Sequence, residues 1–251
     1  MAKQTGILPV KGTLGNLTFY KSKDGYLVRE KGGLDAKRIA SDPAFQRTRE
    51  NNAEFGKAGK ATKLLRNAVR SFSQNASDSK MGSRLTKEMM RVIKADSVNP
   101  RGQRNVIDGE AELLQDFDFN VQGKLSTTLY APYTAAINRV TGALSVEVPA
   151  FVPENMLAAP AGVTHFKLNL AGTEIDFEGN KFVVETQSTP ELPWDNVVTN
   201  AISLSASVTA NSTHPLFLVF GVEFYQEVNG SMYPLKNGAF NSLCLVKVSG
   251  Q

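Results

Sequence analysis

The sequence predicts an α+β protein: a basic N-terminal β-hairpin plus a helical hairpin, followed by a C-terminal antiparallel β-sandwich, Ig-like or jelly-roll-like. Three observations predict it. First, charge divides the chain: residues 1–104 hold 22 Lys+Arg against 9 Asp+Glu, a net of +13, and residues 105–251 hold 6 against 15, a net of −9. Second, the stretch Phe55–Phe72, FGKAGKATKLLRNAVRSF, separates apolar from cationic residues at the helical period of 3.6. Third, short alternating runs recur between turn signals from Phe117 onward, an antiparallel β pattern. The regions are drawn at 1–33, 34–104 and 105–251.

Composition sets the bounds. The chain is 41% apolar and 21% charged, ordinary for a folded protein and enough for a sizeable core. A single cysteine, Cys244, excludes a disulfide framework and a cysteine-rich metal site. The N-terminus, MAKQTGILPVKGTLGN, lacks the apolar core of a secretory signal. No stretch approaches the roughly 20 apolar residues that span a bilayer. The expected compartment is the cytoplasm, or a particle assembled there.

The first element is a hairpin. Leu17–Lys21 and Tyr26–Glu30 are β-prone and flank Asp24-Gly25. Two strands alone are marginal in water, so the hairpin is expected to dock on its own chain or on another copy. Gly32-Gly33 breaks the pattern, and Leu34–Ala40 fits one short helical turn. Ser41-Asp42-Pro43 then starts a helix, with Asp42 as N-cap and Pro43 in the first position. Phe45 falls on the far side from Phe55 in a straight helix, so either a break or bend near residues 51–57 or a helix buried on two sides is expected. Phe55, Ala58, Ala61, Thr62, Leu65, Ala68, Val69 and Phe72 form the apolar arc. A linker, residues 73–82, leads to a second helix over Ser83–Lys94, with Leu85, Met89, Val92 and Ile93 as its stripe. Residues 97–110 are a second linker, where the charge changes sign, and a helical turn fits Glu110–Leu114.

The β region follows. Phe117–Val121 and Leu144–Val148 alternate, as do Thr164–Leu170 and Ala201–Val208. Ile175 and Phe177 precede a Gly179-Asn180 turn, and Lys181–Thr186 follows it. Leu216–Tyr225 is apolar almost throughout, as a strand covered on both faces would be. Asn229-Gly230 and Asn237-Gly238 suggest a C-terminal meander through Met232–Leu235 to Leu243–Val248. Roughly seven to nine short strands of this kind indicate a β-sandwich or Greek-key barrel. The proline-rich segment 149–160 reads as a loop.

The chain offers little chemistry. Gly56-Lys57-Ala58-Gly59-Lys60-Ala61-Thr62 has two residues where a phosphate loop needs four before Gly-Lys-Ser/Thr, and no strand precedes it. His165 and His214 lack the spacing of a metal centre, and no Gly-x-Ser-x-Gly elbow accompanies them. Glu174, Asp176 and Glu178 share a strand face and read as a solvated acidic stripe opposite Ile175 and Phe177. Cys244 points into the core of the last strand. Trp194 reads as a plug at the end of the sandwich. The expectation is a protein without catalytic residues, metal or cofactor.

What remains is basic. Lys57, Lys60, Lys63, Arg66 and Arg70 share eighteen residues with no acid, and the second helix adds Lys87, Arg91 and Lys94. A surface of this kind binds nucleic-acid backbone by counterion release, without sequence specificity. The same charge division also makes copies complementary to one another, so a homo-oligomer or larger assembly is the competing use. No membrane partner and no small-molecule substrate is indicated.

TGILPVKGTLGNLTFYKSKDGYLVREKGG and DPAFQRTRENNAEFGKAGKATKLLR, within residues 5–72, resemble an uncharacterised bacterial protein family. The resemblance implies a shared fold and brings no activity. A basic N-terminal region before an acidic β-sandwich also resembles the layout of some viral coat proteins, where the basic region neutralises genome and the sandwich forms the shell. The expected function is a non-enzymatic, self-assembling structural protein whose basic helical region contacts polyanion or neighbouring subunits. The alternative is a sequence-independent nucleic-acid-binding protein, and a distant third is a carbohydrate-binding or hydrolytic sandwich.

Overall fold

A computed structural model shows a mixed α+β protein with antiparallel sheets, and it describes residues 2–6, 9–30, 36–235 and 240–250. The chain divides into two compact units, 1–49 and 50–251. The Gly32-Gly33 break and the Asn237-Gly238 turn lie outside the described residues. Among the described residues, no helix is long and apolar enough to cross a membrane.

The first unit is more than a hairpin. Strands β1 (Ala2–Lys3), β2 (Gly12–Leu14), β3 (Leu17–Ser22) and β4 (Gly25–Glu30) form one antiparallel sheet in the order β1-β4-β3-β2. Lys23-Asp24, between the paired Ser22 and Gly25, closes β3 on β4 within the turn segment the sequence suggests. The short outer strands carry too few residues to show a period. Helix α1 (Ala36–Ser41) follows, then a 3-10 turn, Pro43–Phe45, capped by Asp42, which accepts from Ala44 N at 2.9 Å. That turn removes Phe45 from the long helix. Helix α2 (Gln46–Ala68) therefore runs unbroken through Gly56 and Gly59, and the expected break near 51–57 does not occur.

The second unit contains most of α2, then α3 (Arg70–Ser73) and α4 (Met81–Ala95). A 3-10 turn at Ala111–Leu114 and α5 (Leu125–Thr128) lead to β5 (Thr134–Asn138) and β6 (Ala143–Val148). After α6 (Pro153–Met156) come β7 (His165–Asp176), β8 (Lys181–Ser188), β9 (Leu192–Pro193) and β10 (Ile202–Ser207). The last strands are β11 (Leu216–Val228), β12 (Ser231–Pro234) and β13 (Ser242–Ser249). One sheet is β10-β6-β5; the larger runs β12-β11-β7-β8, with β13 also on β11 and β9 on β7.

Strand β11 is buried from Leu216 to Phe224, as its unbroken apolar run predicts. One face of the larger sheet (Ala171, Ile175, Phe217, Val219, Leu243, Leu245) shares a core with Leu65, Leu85, Met89 and Ile93 of the helices. The opposite face (Leu168, Leu170, Leu218, Phe220, Val222) shares a core with Leu144, Val146, Leu204 and Ala206 of the smaller sheet. Within the second unit, helices and strands thus share one core, because apolar packing joins what net charge separates.

Several local expectations change. His165–Leu170 and Ile175 belong to one strand, β7, continued through Gly172, with Thr164 just outside it. Phe117–Val121 is no strand: Asp116 turns to φ 63 and only the Asp118–Cys244 bridge forms, although Phe119 N still donates to Leu243 O at 2.8 Å. Strand β5 was not anticipated, since its half-buried Ala135 and Ile137 give a weak alternation. The meander is replaced by tandem pairing. Both β12 and β13 run antiparallel to β11 along one edge, over 225–228 and 216–222 of β11 respectively. The buried Asn241 fixes the step between them, accepting from Phe224 N at 3.1 Å and donating to Asn75 O at 3.1 Å.

The two sheets approach closely at Gly172, where an added Cβ would lie 2.9 Å from Ala206 Cβ. Gly172→Ala should cost about 1–3 kcal/mol, since neither backbone can yield freely. Gly56 meets nothing within 4 Å, so Gly56→Ala should add about 0.5–1 kcal/mol. Urea denaturation of the two variants checks both signs.

Candidate functional site

Helix α2 turns its buried arc from Leu64 through Ala61, Leu65 and Ala58 to Thr62. Leu64 at one margin rotates that arc away from Phe55, which is 61% exposed rather than buried as expected. Glu54 falls within the arc and is buried, accepting from Gly102 N at 2.8 Å. At about 100° per residue, Lys63 and Arg66 then project on the Phe55 side, toward α4, and Lys60 projects on the other. Lys63 lies between the two sides and lines a trough with Lys60 as well as the groove toward α4.

Five predicted cations come together. Lys63 and Arg66 from α2, with Lys87, Arg91 and Lys94 from α4, line one groove of about 900 Å³ between the helices. Lys87, Arg91 and Lys94 follow i, i+4, i+7 spacing and form a single stripe. Phe55, Thr62, Met81 and Met90 supply its less polar lining. Arg66 lies against Gly82: a Cβ there would be 3.2 Å from Nη1. Arg91 is paired with Glu88 at 2.6 Å, and among the described residues Lys63, Arg66, Lys87 and Lys94 have no ion-pair partner.

The other three predicted cations lie elsewhere. Lys57 donates through Nζ to Gln103 O and, at 2.8 Å, to Arg104 O, closing the loop after α4. Lys60 lines a crevice with Val106, Ile107, Phe177 and Glu178. Arg70 lines a separate cleft of about 410 Å³ with Arg66, Gln74 and Ser77. Arg84 was indistinguishable in sequence from these cations, yet it is structural. It pairs with Asp78, donates to Asp118 O at 2.8 Å and stacks 5.0 Å from the Phe117 ring centroid.

The remaining candidates resolve as structural groups. Gly56–Thr62 is continuous helix. His165 Nδ1 bonds Thr164 Oγ1 at 3.0 Å. Glu174 is buried rather than solvated, accepting from Ser212 Oγ at 2.6 Å and Thr209 N at 3.2 Å. Asp176 closes the following turn, accepting from Gly179 N at 2.7 Å. Burial pushes the Cys244 thiol well above its usual pKa, with Asp118 adding to the shift. Trp194 packs against the core between the two sheets. No group of three His, Cys, Asp or Glu that could hold a metal occurs among the described residues.

Comparison with family models, with curated proteins and with solved structures finds no match to this chain.

The groove depends on how α4 ends. Asp96, 2% exposed, accepts from Val98 N at 2.8 Å, Asn99 N at 2.9 Å and Asn105 N at 3.0 Å. Burial raises its pKa, but these bonds and Asn99 Nδ2 outweigh it and hold the carboxyl at about 2, below the ordinary 3.8. The folded state thus binds this proton more weakly than the unfolded chain. Its stability contribution is full above about pH 4 and is lost as pH falls through 2. Asp96→Asn should cost about 1–3 kcal/mol at neutral pH and flatten the acid limb of the stability profile, measured by urea denaturation between pH 2 and 7.

Proposed function

We propose that this chain is a non-enzymatic structural protein that assembles from copies of itself, its two packed antiparallel sheets forming a β-sandwich of Ig-like or jelly-roll-like type. The observation that carries this reading is the N-terminal sheet. The register puts Leu14, Leu17, Phe19, Tyr26 and Val28 on one face, with Lys21 and Glu30 at its margin, and nothing among the described residues of that unit buries this face. A sheet of this size is stable only when such a face is covered. A neighbouring copy supplies an acidic β region for the unit's lysines and arginines. Head-to-tail contact of this kind generates rings or filaments.

Light scattering across concentration tests the reading. Phe19→Ser/Val28→Ser should raise the concentration needed for assembly by about tenfold or more, with the melting of the second unit unchanged. A wild-type chain that stays monomeric at high concentration and low salt overturns it.

A second reading, sequence-independent nucleic-acid binding, is supported by the groove. Five cations line it, and the exposed Phe55 offers a ring on which a base can stack. Titration with a fluorescent single-stranded oligonucleotide at two salt concentrations tests it. Lys63→Glu/Lys87→Glu should weaken binding and reduce the salt slope by roughly 0.7 per lost phosphate contact. Phe55→Ala should weaken binding with the slope unchanged. Equal binding by wild type and the charge-reversed chain removes the groove from this role.

A further inference from the structure

The sheet edges of the second unit are not treated alike. Outside β13, the segment 116–119 pairs through Asp116 N to Leu245 O, Leu245 N to Phe117 O and Phe119 N to Leu243 O. On β10, Ser205 N and Ser207 N are capped by Gln187 Oε1 and Glu185 Oε2. On β5, Ala135 O accepts from Lys247 Nζ at 3.2 Å. Strands β9 and β12 are short and end in Pro193 and Pro234. These are the devices by which proteins blunt strand edges.

Strand β8 has few such devices. Its eight residues are all exposed, including Phe182 at 39%, Val183 at 48% and Val184 at 37%. It pairs with β7 on one side, and among the described residues no backbone group of 181–188 bonds to another strand. A long, apolar, unpaired edge is a template for strand addition.

We infer that β8 pairs antiparallel with β8 of a second copy about a two-fold axis at Val183. The occupant is set by the sequence of the edge itself. Lys181-Phe182-Val183-Val184-Glu185 reads complementary when reversed on itself. With Val183 opposite Val183 of the other copy, Lys181 faces Glu185 twice, and Phe182 faces Val184 twice. A one-residue change of centre sets Val183 against Glu185 and loses both charge pairs. Glu185 caps Ser207 through Oε2, leaving its other oxygen for Lys181 of the second copy. Phe182 and Val184 lie on the helix face of the sheet, where Phe182 borders a trough of about 640 Å³ with Lys60, Lys63 and Leu64 of α2. The added strand would extend the floor of that trough. The contact is isologous, so it closes a dimer by itself.

This inference rests on the assembly reading and adds a second, different contact to it. Its test is a set of single cysteines in the full chain, the native Cys244 being buried. The measurements are made at moderate salt, which screens the Lys60 and Lys63 rows. Under mild oxidation Val183→Cys should give a covalent dimer, because directly opposed residues lie within disulfide reach. Val184→Cys should not, because its own counterpart is diagonal, about 7–8 Å away. Without oxidation, Lys181→Glu should raise the dimer dissociation constant about tenfold, since like charges then oppose at both ends. Unchanged thermal melting of Lys181→Glu guards against loss of fold. Assembly unaffected by Lys181→Glu, or a Val184→Cys crosslink equal to that of Val183→Cys, overturns the β8 contact and leaves the assembly reading standing. Loss of assembly in Phe19→Ser/Val28→Ser with the β8 crosslink retained separates the two contacts the other way.

Discussion

The pairing of β7 with β11 is the constraint on which the second unit depends. Ten residue pairs run in register from Leu216 opposite Glu174 to Tyr225 opposite His165. Both strands are buried on both faces over most of that length. Each fully buried Phe or Leu contributes roughly 2–3 kcal/mol, so neither face can be left to water. Two covering layers are therefore required. The helices α2 and α4 form one and the sheet β10-β6-β5 forms the other. Everything distinctive about the basic groove follows from the first of these. Once Leu65, Leu85, Met89 and Ile93 face the sheet, Lys63, Arg66, Lys87, Arg91 and Lys94 have the outer surface left.

Buried polar groups then fix the connections. Glu54 holds the loop after α4 through Gly102 N, and Asp96 holds it again through three backbone donors. Arg139 reaches Ser212 O at 2.6 Å and His214 O at 2.9 Å, and also reaches the C-terminal segment at Ser249 O. Each of these would be costly if unpaired, so each specifies one loop path rather than merely adding stability. This explains why carboxylates that read as surface acids in the sequence, Glu174 above all, lie inside.

Much of the fold was legible because it rests on local rules. The two-faced burial of β11, the alternation of β10, the Asp42 cap and the Asn229-Gly230 turn, with φ of 51° and 75°, all come from patterns within about ten residues. The misses come from tertiary context. A wheel centred on Phe55 differs by a fraction of a turn from one that admits Leu64, and only the sheet beneath decides between them. Strand β7 was divided in two because Gly172 looks like a break, when the close approach of Ala206 is what requires it. Of the eight predicted cations, five meet at one groove, and no sequence period could show that Lys60 falls on the far side of its own helix.

The change of charge sign near residue 104 has a different meaning in the folded chain. Within the second unit it falls between the basic helices and the strands they pack against, inside one hydrophobic core. A +13 half and a −9 half in one chain cannot be reconciled by internal pairing alone when the cations point outward, so the proposed partners divide by surface chemistry. The groove sets five cations beside an exposed aromatic ring, Phe55, which suits a polyanion that carries bases. The N-terminal sheet and the edge of β8 offer apolar area flanked by charges of both signs, Lys181 and Glu185 in β8, which suits another protein chain. Lys63 borders both the groove and the trough beside β8, so the two surfaces adjoin along α2 rather than lying apart.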